Sequence, residues 1–110
     1  MNIQIFGKKK CFETKKAERY FKERKIKFQL IDLPRFGMSV REFDSVRRCV
    51  GLENLLDTST PGAEIVSYLA HEADKIEKLL DQPELIKTPI VRNGKASTVG
   101  YQPDVWKTWE

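Results

Sequence analysis

The sequence of 110 residues lacks any long apolar run. Charged residues interrupt every stretch before the roughly 20 residues a membrane span requires. It has one histidine, His71, and two cysteines, Cys11 and Cys49, so a zinc site built from clustered Cys and His has too few ligands. Cys-x-x-Cys is absent: Cys11 is followed by Phe12, Glu13 and Thr14, which excludes dithiol exchange within one motif. The segment from Met1 to Cys11 has neither the apolar centre nor the small-residue cleavage site of a signal peptide. Together these absences predict a cytoplasmic protein with free thiols rather than a structural disulfide. There is no repeat, low-complexity tract or long linker, and one domain over residues 1–110 is expected.

What is present is a solvated surface around a sufficient core. Hydrophobic residues make up 40% and charged residues 33%, a balance that argues against disorder. The net charge of +4 is unevenly spread: residues 1–50 carry 14 Lys+Arg against 6 Asp+Glu, and residues 51–110 carry 6 against 10. A basic half suits an acidic protein surface or a small anion, with nucleic acid a minor reading.

The hydrophobic pattern predicts the order of elements. Asn2 to Phe6 alternates as a short strand closed by Gly7. Ala17, Tyr20 and Phe21 fall at helical spacing and predict a helix from about Phe12 to Lys25. Ile26 to Leu33 alternates again, with Pro34 and Gly37 ending the run. Ser39 stands three residues before Glu42, the spacing of a capping box, ahead of Val40, Phe43, Val46 and Val50; Gly51 closes that helix. Thr60-Pro61 reads as another helix start, with Ile65, Val66, Leu69 and Ala73 on one face, and His71 to Leu80 continues helical. Residues 39–82 thus read as an all-helical insertion. Pro89 to Arg92, the turn signal Asn93-Gly94 and Ala96 to Val99 predict a β-hairpin, and Pro103 opens a last helix bearing Val105, Trp106 and Trp109. The expected class is α/β, in the order β-α-β, helical insertion, β-β-α, with Phe21, Phe28, Phe43, Trp106 and Trp109 as core.

Cys11 carries the chemistry. It stands where the first loop becomes the first helix, and the positive end of a helix favours a thiolate. Lys8, Lys9 and Lys10 add positive potential, and Thr14, one helical turn on, offers a hydroxyl to sulfur. A lone thiolate can attack a disulfide, but the mixed disulfide then needs a second thiol, which glutathione or an external thioredoxin supplies. Cys49, between Arg48 and Val50 in another helix, is read as a small packing residue. Proline is tolerated as the first residue of a strand, so Thr88-Pro89 fits the start of the third one, and the residues leave its peptide isomer open. Glu13 and Glu18 read as partners of nearby lysines, and His71 as a surface or core residue.

These features resemble the ArsC/Spx family, the thioredoxin-fold group of glutaredoxin-coupled arsenate reductases and Spx transcription regulators. The resemblance covers nearly the whole chain. It rests on Ile5-Phe6-Gly7 with Cys11 before Thr14-Lys15-Lys16-Ala17, on Pro34 to Glu42, and on Gly51-Leu52-Glu53-Asn54-Leu55-Leu56-Asp57. Further matches are Leu85-Ile86-Lys87-Thr88-Pro89-Ile90-Val91 and Val99-Gly100-Tyr101. It implies a thioredoxin-like (glutaredoxin-like) mixed sheet, Cys11 as nucleophile and Pro89 as a cis-proline. The departures are specific. The family's arsenate reductases bind the oxyanion with arginines, whose forks match oxyanion geometry. This chain has Thr88 before the proline, Thr58-Ser59-Thr60 after Leu-Leu-Asp, and no arginine around Val99-Gly100.

The leading expectation is a thiol–disulfide oxidoreductase acting through Cys11 with Thr14. Lys8, Lys9, Lys10, Thr88, Pro89 and Arg92 are candidates for binding a substrate or thiol. No bound cofactor is expected; glutathione is the candidate co-substrate, and a glutaredoxin or thioredoxin the candidate redox partner. The alternative is an Spx-like regulator that binds the C-terminal domain of the RNA polymerase α-subunit. A true arsenate reductase ranks third.

Overall fold

The computed structural model describes residues 1–110. Strands β1 (Ile3–Gly7), β2 (Phe28–Asp32), β3 (Ile90–Asn93) and β4 (Ala96–Val99) form one sheet in the order β2-β1-β3-β4. β1 and β2 run parallel, with Ile3 opposite Phe28 and Gly7 opposite Asp32. β3 runs antiparallel to both β1 and β4. Helix α1 (Phe12–Glu23) makes the crossover from β1 to β2. Between β2 and β3 lie the helices α2 (Leu33–Phe36), α3 (Val40–Val50), α4 (Ala63–Ser67) and α5 (Glu72–Asp81), 3-10 turns at Leu52–Asn54 and Pro83–Leu85, and one antiparallel bridge between Leu56 and Ile86. α6 (Pro103–Lys107) follows the hairpin. The mixed sheet and element order are those of the expected thioredoxin-like plan. No helix is long and apolar enough to cross a membrane.

Strand periodicity divides the core into two layers, because successive side chains face opposite sides of the sheet. Ile3, Ile5 and Val91 point toward α1 and α6 and pack with Ala17, Tyr20, Phe21 and Trp106. Phe6 and Ile90 point the other way, into a cluster with Leu33, Phe43, Val46, Leu55, Val66, Leu79 and Ile86 under the helical segment. Trp106 anchors the first layer. It is fully buried, meets Tyr20 and Phe21 with ring centroids 5.1 and 5.2 Å away, and donates its Nε1–H to Thr98 Oγ1 at 2.8 Å.

Local signals place several boundaries. Ser39 Oγ accepts from the Glu42 N–H at 3.1 Å while Glu42 Oε1 accepts from the Ser39 N–H at 2.9 Å, completing the capping box of α3. Gly94, at φ 60°, lets the β3–β4 hairpin close, with Asn93 opposite Ala96. Three expectations need correction. β2 begins at Phe28 rather than Ile26, and Pro34 does not simply end it. Proline's fixed φ suits the first turn of a helix, so Leu33–Phe36 coils as α2. The helix expected from Thr60-Pro61 into His71–Leu80 is two helices. Gly62 stands at the first N-cap, His71 at the second, and Ile65 and Ala73, expected on the buried face, are exposed.

Candidate active site around Cys11

Cys11 is the N-cap of α1, with extended backbone (φ −86°, ψ 115°) and a half-buried side chain. At this position a side chain receives the free N–H groups of the first helical turn, an arrangement that favours an anion. In its protonated form the thiol donates to the Thr88 carbonyl at 3.6 Å. The next peptide bond, Thr88–Pro89, is cis, and both residues are buried. Burial pushes the Cys11 thiol up, but the hydroxyls of Thr14 and Thr88 and the N–H groups of Thr14 and Glu13 outweigh it and leave the pKa below its ordinary value.

Thr14 is 3% exposed, and its buried Oγ1 makes no hydrogen bond to another group, so its hydroxyl remains available to the thiolate whose pKa it lowers. Gly7 makes room for it. A Cβ at Gly7 would collide with Thr14 Cγ2 and lie 2.9 Å from Thr14 Oγ1, so the end of β1 must be glycine for Thr14 to sit under the thiol. Nothing in the sequence pattern marked that requirement; Gly7 reads there only as a strand breaker.

The lysines divide. Lys8 turns away from sulfur: its Nζ donates to Asp57 Oδ2 at 3.1 Å and to the Glu84 carbonyl at 2.8 Å. Its charge is therefore matched by a carboxylate, and no lysine is among the causes of the lowered Cys11 pKa. Lys9 and Lys10 are exposed and form no ion pair within the chain. Asp57 is a residue that sequence reasoning missed as a participant. Burial pushes its carboxyl up, yet the Ser59 hydroxyl, the Lys8 ammonium and the Ser59 N–H hold it at about 2. Its N–H donates to the Leu85 carbonyl at 2.8 Å, and the Lys87 N–H donates to the Leu55 carbonyl at 2.7 Å. Lys8 thereby ties the Cys11 loop to the segment that leads into Thr88-Pro89.

Two further expectations are corrected. Arg92 is not at the thiol. Val91 faces α1, so by strand alternation Arg92 faces α3, where it donates to Gln4 Oε1 at 2.9 Å and lies 3.6 Å from Glu42 Oε2. Cys49 is exposed rather than packed, and its thiol donates to the Lys95 carbonyl at 3.1 Å. Lys95 sits in the hairpin turn, at the end of β3 opposite Pro89, about 15–20 Å away at strand spacing. A disulfide requires Cα atoms within about 7 Å, so Cys49 does not reach Cys11 in this fold. No group of three or more His, Cys, Asp or Glu side chains is placed to hold a metal ion.

A model of the ArsC family matches residues 6–109. Global transcriptional regulator Spx 2 of Oceanobacillus iheyensis is 28% identical over 112 residues, covering 94% of this chain and 80% of its own. Among solved structures, an ArsC family related protein from Bacteroides fragilis superposes with a TM-score of 0.86 at 19% identity, covering 100% of this chain and 98% of its own. Arsenate reductase from Vibrio cholerae gives 0.83 at 17% identity, covering 96% and 94%. The glutaredoxin-like protein NrdH-redoxin from Escherichia coli gives 0.52 at 18% identity, covering 100% and 96%, and shares the thioredoxin-like fold.

Proposed function

Because this chain belongs to the ArsC family, we propose that it is a thiol–disulfide oxidoreductase that works through Cys11 alone and is recycled by an external thiol. The observation that carries this reading is the Cys11 thiol at the N-cap of α1, facing Thr88 and Pro89, with its pKa lowered by donors from Thr14, Thr88 and the helix backbone. The Cys11 thiolate attacks one sulfur of a disulfide. The new S–S bond takes the place of the old one, and the departing sulfur leaves as thiolate. A second thiolate, of the glutathione class, then attacks the mixed disulfide, carries off the bound group as a new disulfide and restores the Cys11 thiolate. The distance to Cys49 supports an external rather than an internal resolving thiol.

Thr14 and Thr88 would hold the anionic sulfur, and the Thr88-Pro89 backbone would align the incoming one. Lys9 and Lys10 would supply the long-range attraction for an anionic partner, and Lys8 would act through Asp57 as a positioning residue. Two features argue against arsenate as substrate. Thr88 precedes the cis-proline where a guanidinium fork is needed, and Arg92 is paired with Glu42 on the far face of the sheet.

The test is exchange with 2-hydroxyethyl disulfide in the presence of reduced glutathione. The expected result is turnover that survives Cys49→Ser and is lost in Cys11→Ser, with the trapped mixed disulfide mapping to Cys11. Turnover that persists in Cys11→Ser contradicts the assignment. A second reading, regulation through the C-terminal domain of the RNA polymerase α-subunit, draws its support from the similarity to a transcriptional regulator. Capture of that purified domain by wild type and Cys11→Ser alike, with no thiol exchange, selects that reading.

A further inference from the structure

A groove of about 230 Å³ begins at Thr14, one helical turn from Cys11, and extends away from the thiol. It runs between the start of α1 and the edge strand β2. Thr14, whose hydroxyl lowers the Cys11 pKa, lines it, and Leu30 and Phe36 form its outer wall. Leu30 is 50% exposed and Phe36 68% exposed, and Phe12, directly after the nucleophile, is 79% exposed. Scattered exposed apolar side chains need no explanation, but two that wall a groove reaching Thr14 form a surface suited to a partner.

Unpaired cations also outnumber carboxylates around this surface. Lys9, Lys10 and Lys15 are exposed and form no ion pair within the chain; Lys9 and Lys15 line the groove, and Lys15 Nζ lies 5.9 Å from the Phe12 ring centroid. Glu18 and Asp32 line the groove, so these three unpaired cations exceed its carboxylates by one. A small thiol has no use for an apolar wall on the outer strand. A larger concavity of about 660 Å³ between α3, α4 and α5 offers no rival, since its Arg47 is already paired with Asp44 and Glu72.

Resting on the thiol-exchange reading above, we propose that the oxidised substrate of Cys11 is a protein disulfide whose flanking segment carries a large apolar residue and acidic residues. The apolar side chain seats against Leu30 and Phe36, and the acidic residues face Lys9, Lys10 and Lys15. Docking there delivers the substrate sulfur to Cys11. The thiolate forms the mixed disulfide with the segment, and the other half of the substrate disulfide leaves as thiolate. The groove thus determines specificity, while the thiol and Thr14 determine reactivity.

The experiment compares three disulfides at equal concentration: a cysteine peptide flanked by Leu and Glu, one flanked by Leu and Lys, and one flanked by Ser and Glu. Each is activated as the mixed disulfide with thionitrobenzoate, and 2-hydroxyethyl disulfide serves as the small reference. The Leu–Glu peptide is expected to react about tenfold faster than either other peptide at low salt, an advantage that shrinks at high salt. Leu30→Asp and Phe36→Asp, both at exposed positions, are expected to remove most of that advantage and leave the rate with 2-hydroxyethyl disulfide unchanged. Equal rates for the three peptides in wild type overturn the proposal while leaving thiol exchange intact, and this comparison needs no variant. An advantage that survives both Asp variants also overturns it. Inertness toward all four disulfides overturns the exchange reading itself.

Discussion

Asp57→Asn tests the link between Lys8 and the insertion, because asparagine keeps the carbonyl acceptor for Ser59 and removes only the charge facing Lys8. An unfolded carboxyl titrates near 3.9, and the folded Asp57 is held at about 2. Linkage alone would make that difference worth about 2.5 kcal/mol at neutral pH. Asp57 is 24% exposed and Lys8 19%, so water screens the pair, and about 1 kcal/mol is the magnitude to expect. The sign follows from a depressed acid: the stabilisation is fully present above about pH 4 and is lost as pH falls through about 2. Urea unfolding at pH 7 and in steps from pH 4 to 2 measures it, with unchanged m-values confirming that the unfolded states are comparable. Wild type should exceed Asp57→Asn by about 1 kcal/mol at pH 7, and the difference should fade across the acidic steps. A difference that is absent at pH 7, or constant between pH 4 and 2, refutes the reasoning.

Gly7→Ala pushes Thr14 off the thiol, and the loss of one hydrogen bond to a charged group should slow iodoacetamide alkylation of Cys11 at pH 7 by about tenfold. Trp106→Phe strands the buried Thr98 hydroxyl and shrinks the central ring of the first core layer. It should cost about 2–3 kcal/mol in urea unfolding while leaving the Cys11 alkylation rate of the folded protein unchanged.

The parts of this structure written locally in the chain were legible there. Alternation marked β1, the Ser39–Glu42 spacing marked the start of α3, and Asn93-Gly94 marked the hairpin, because each depends on neighbours within a few residues. The placement of Cys11 was legible for the same reason: a cysteine opening a helix owes its lowered pKa largely to its own first turn. Contacts between distant segments were not. Lys8 stands three residues from Cys11 in sequence, yet its ammonium answers Asp57 and Glu84, and only the folded insertion brings these within reach. Arg92 follows strand parity into the face of the sheet away from the thiol, and Glu42 waiting on α3 is a fact of packing. Pro34 was ambiguous by chemistry, since the ring that ends a strand also suits the first turn of a helix. The need for glycine at position 7 arises from a side chain seven residues on, and only the close approach of β1 to α1 reveals it.

We propose that this fold makes Cys11 a nucleophile at neutral pH. The most direct measurement is the pH dependence of Cys11 alkylation in Cys49→Ser, beside the same protein carrying Thr14→Val. The account predicts an apparent thiol pKa clearly below that of a free cysteine, near 8.5, and a rise when the Thr14 hydroxyl is removed. A pKa at or above the free value, unmoved by Thr14→Val, would contradict it.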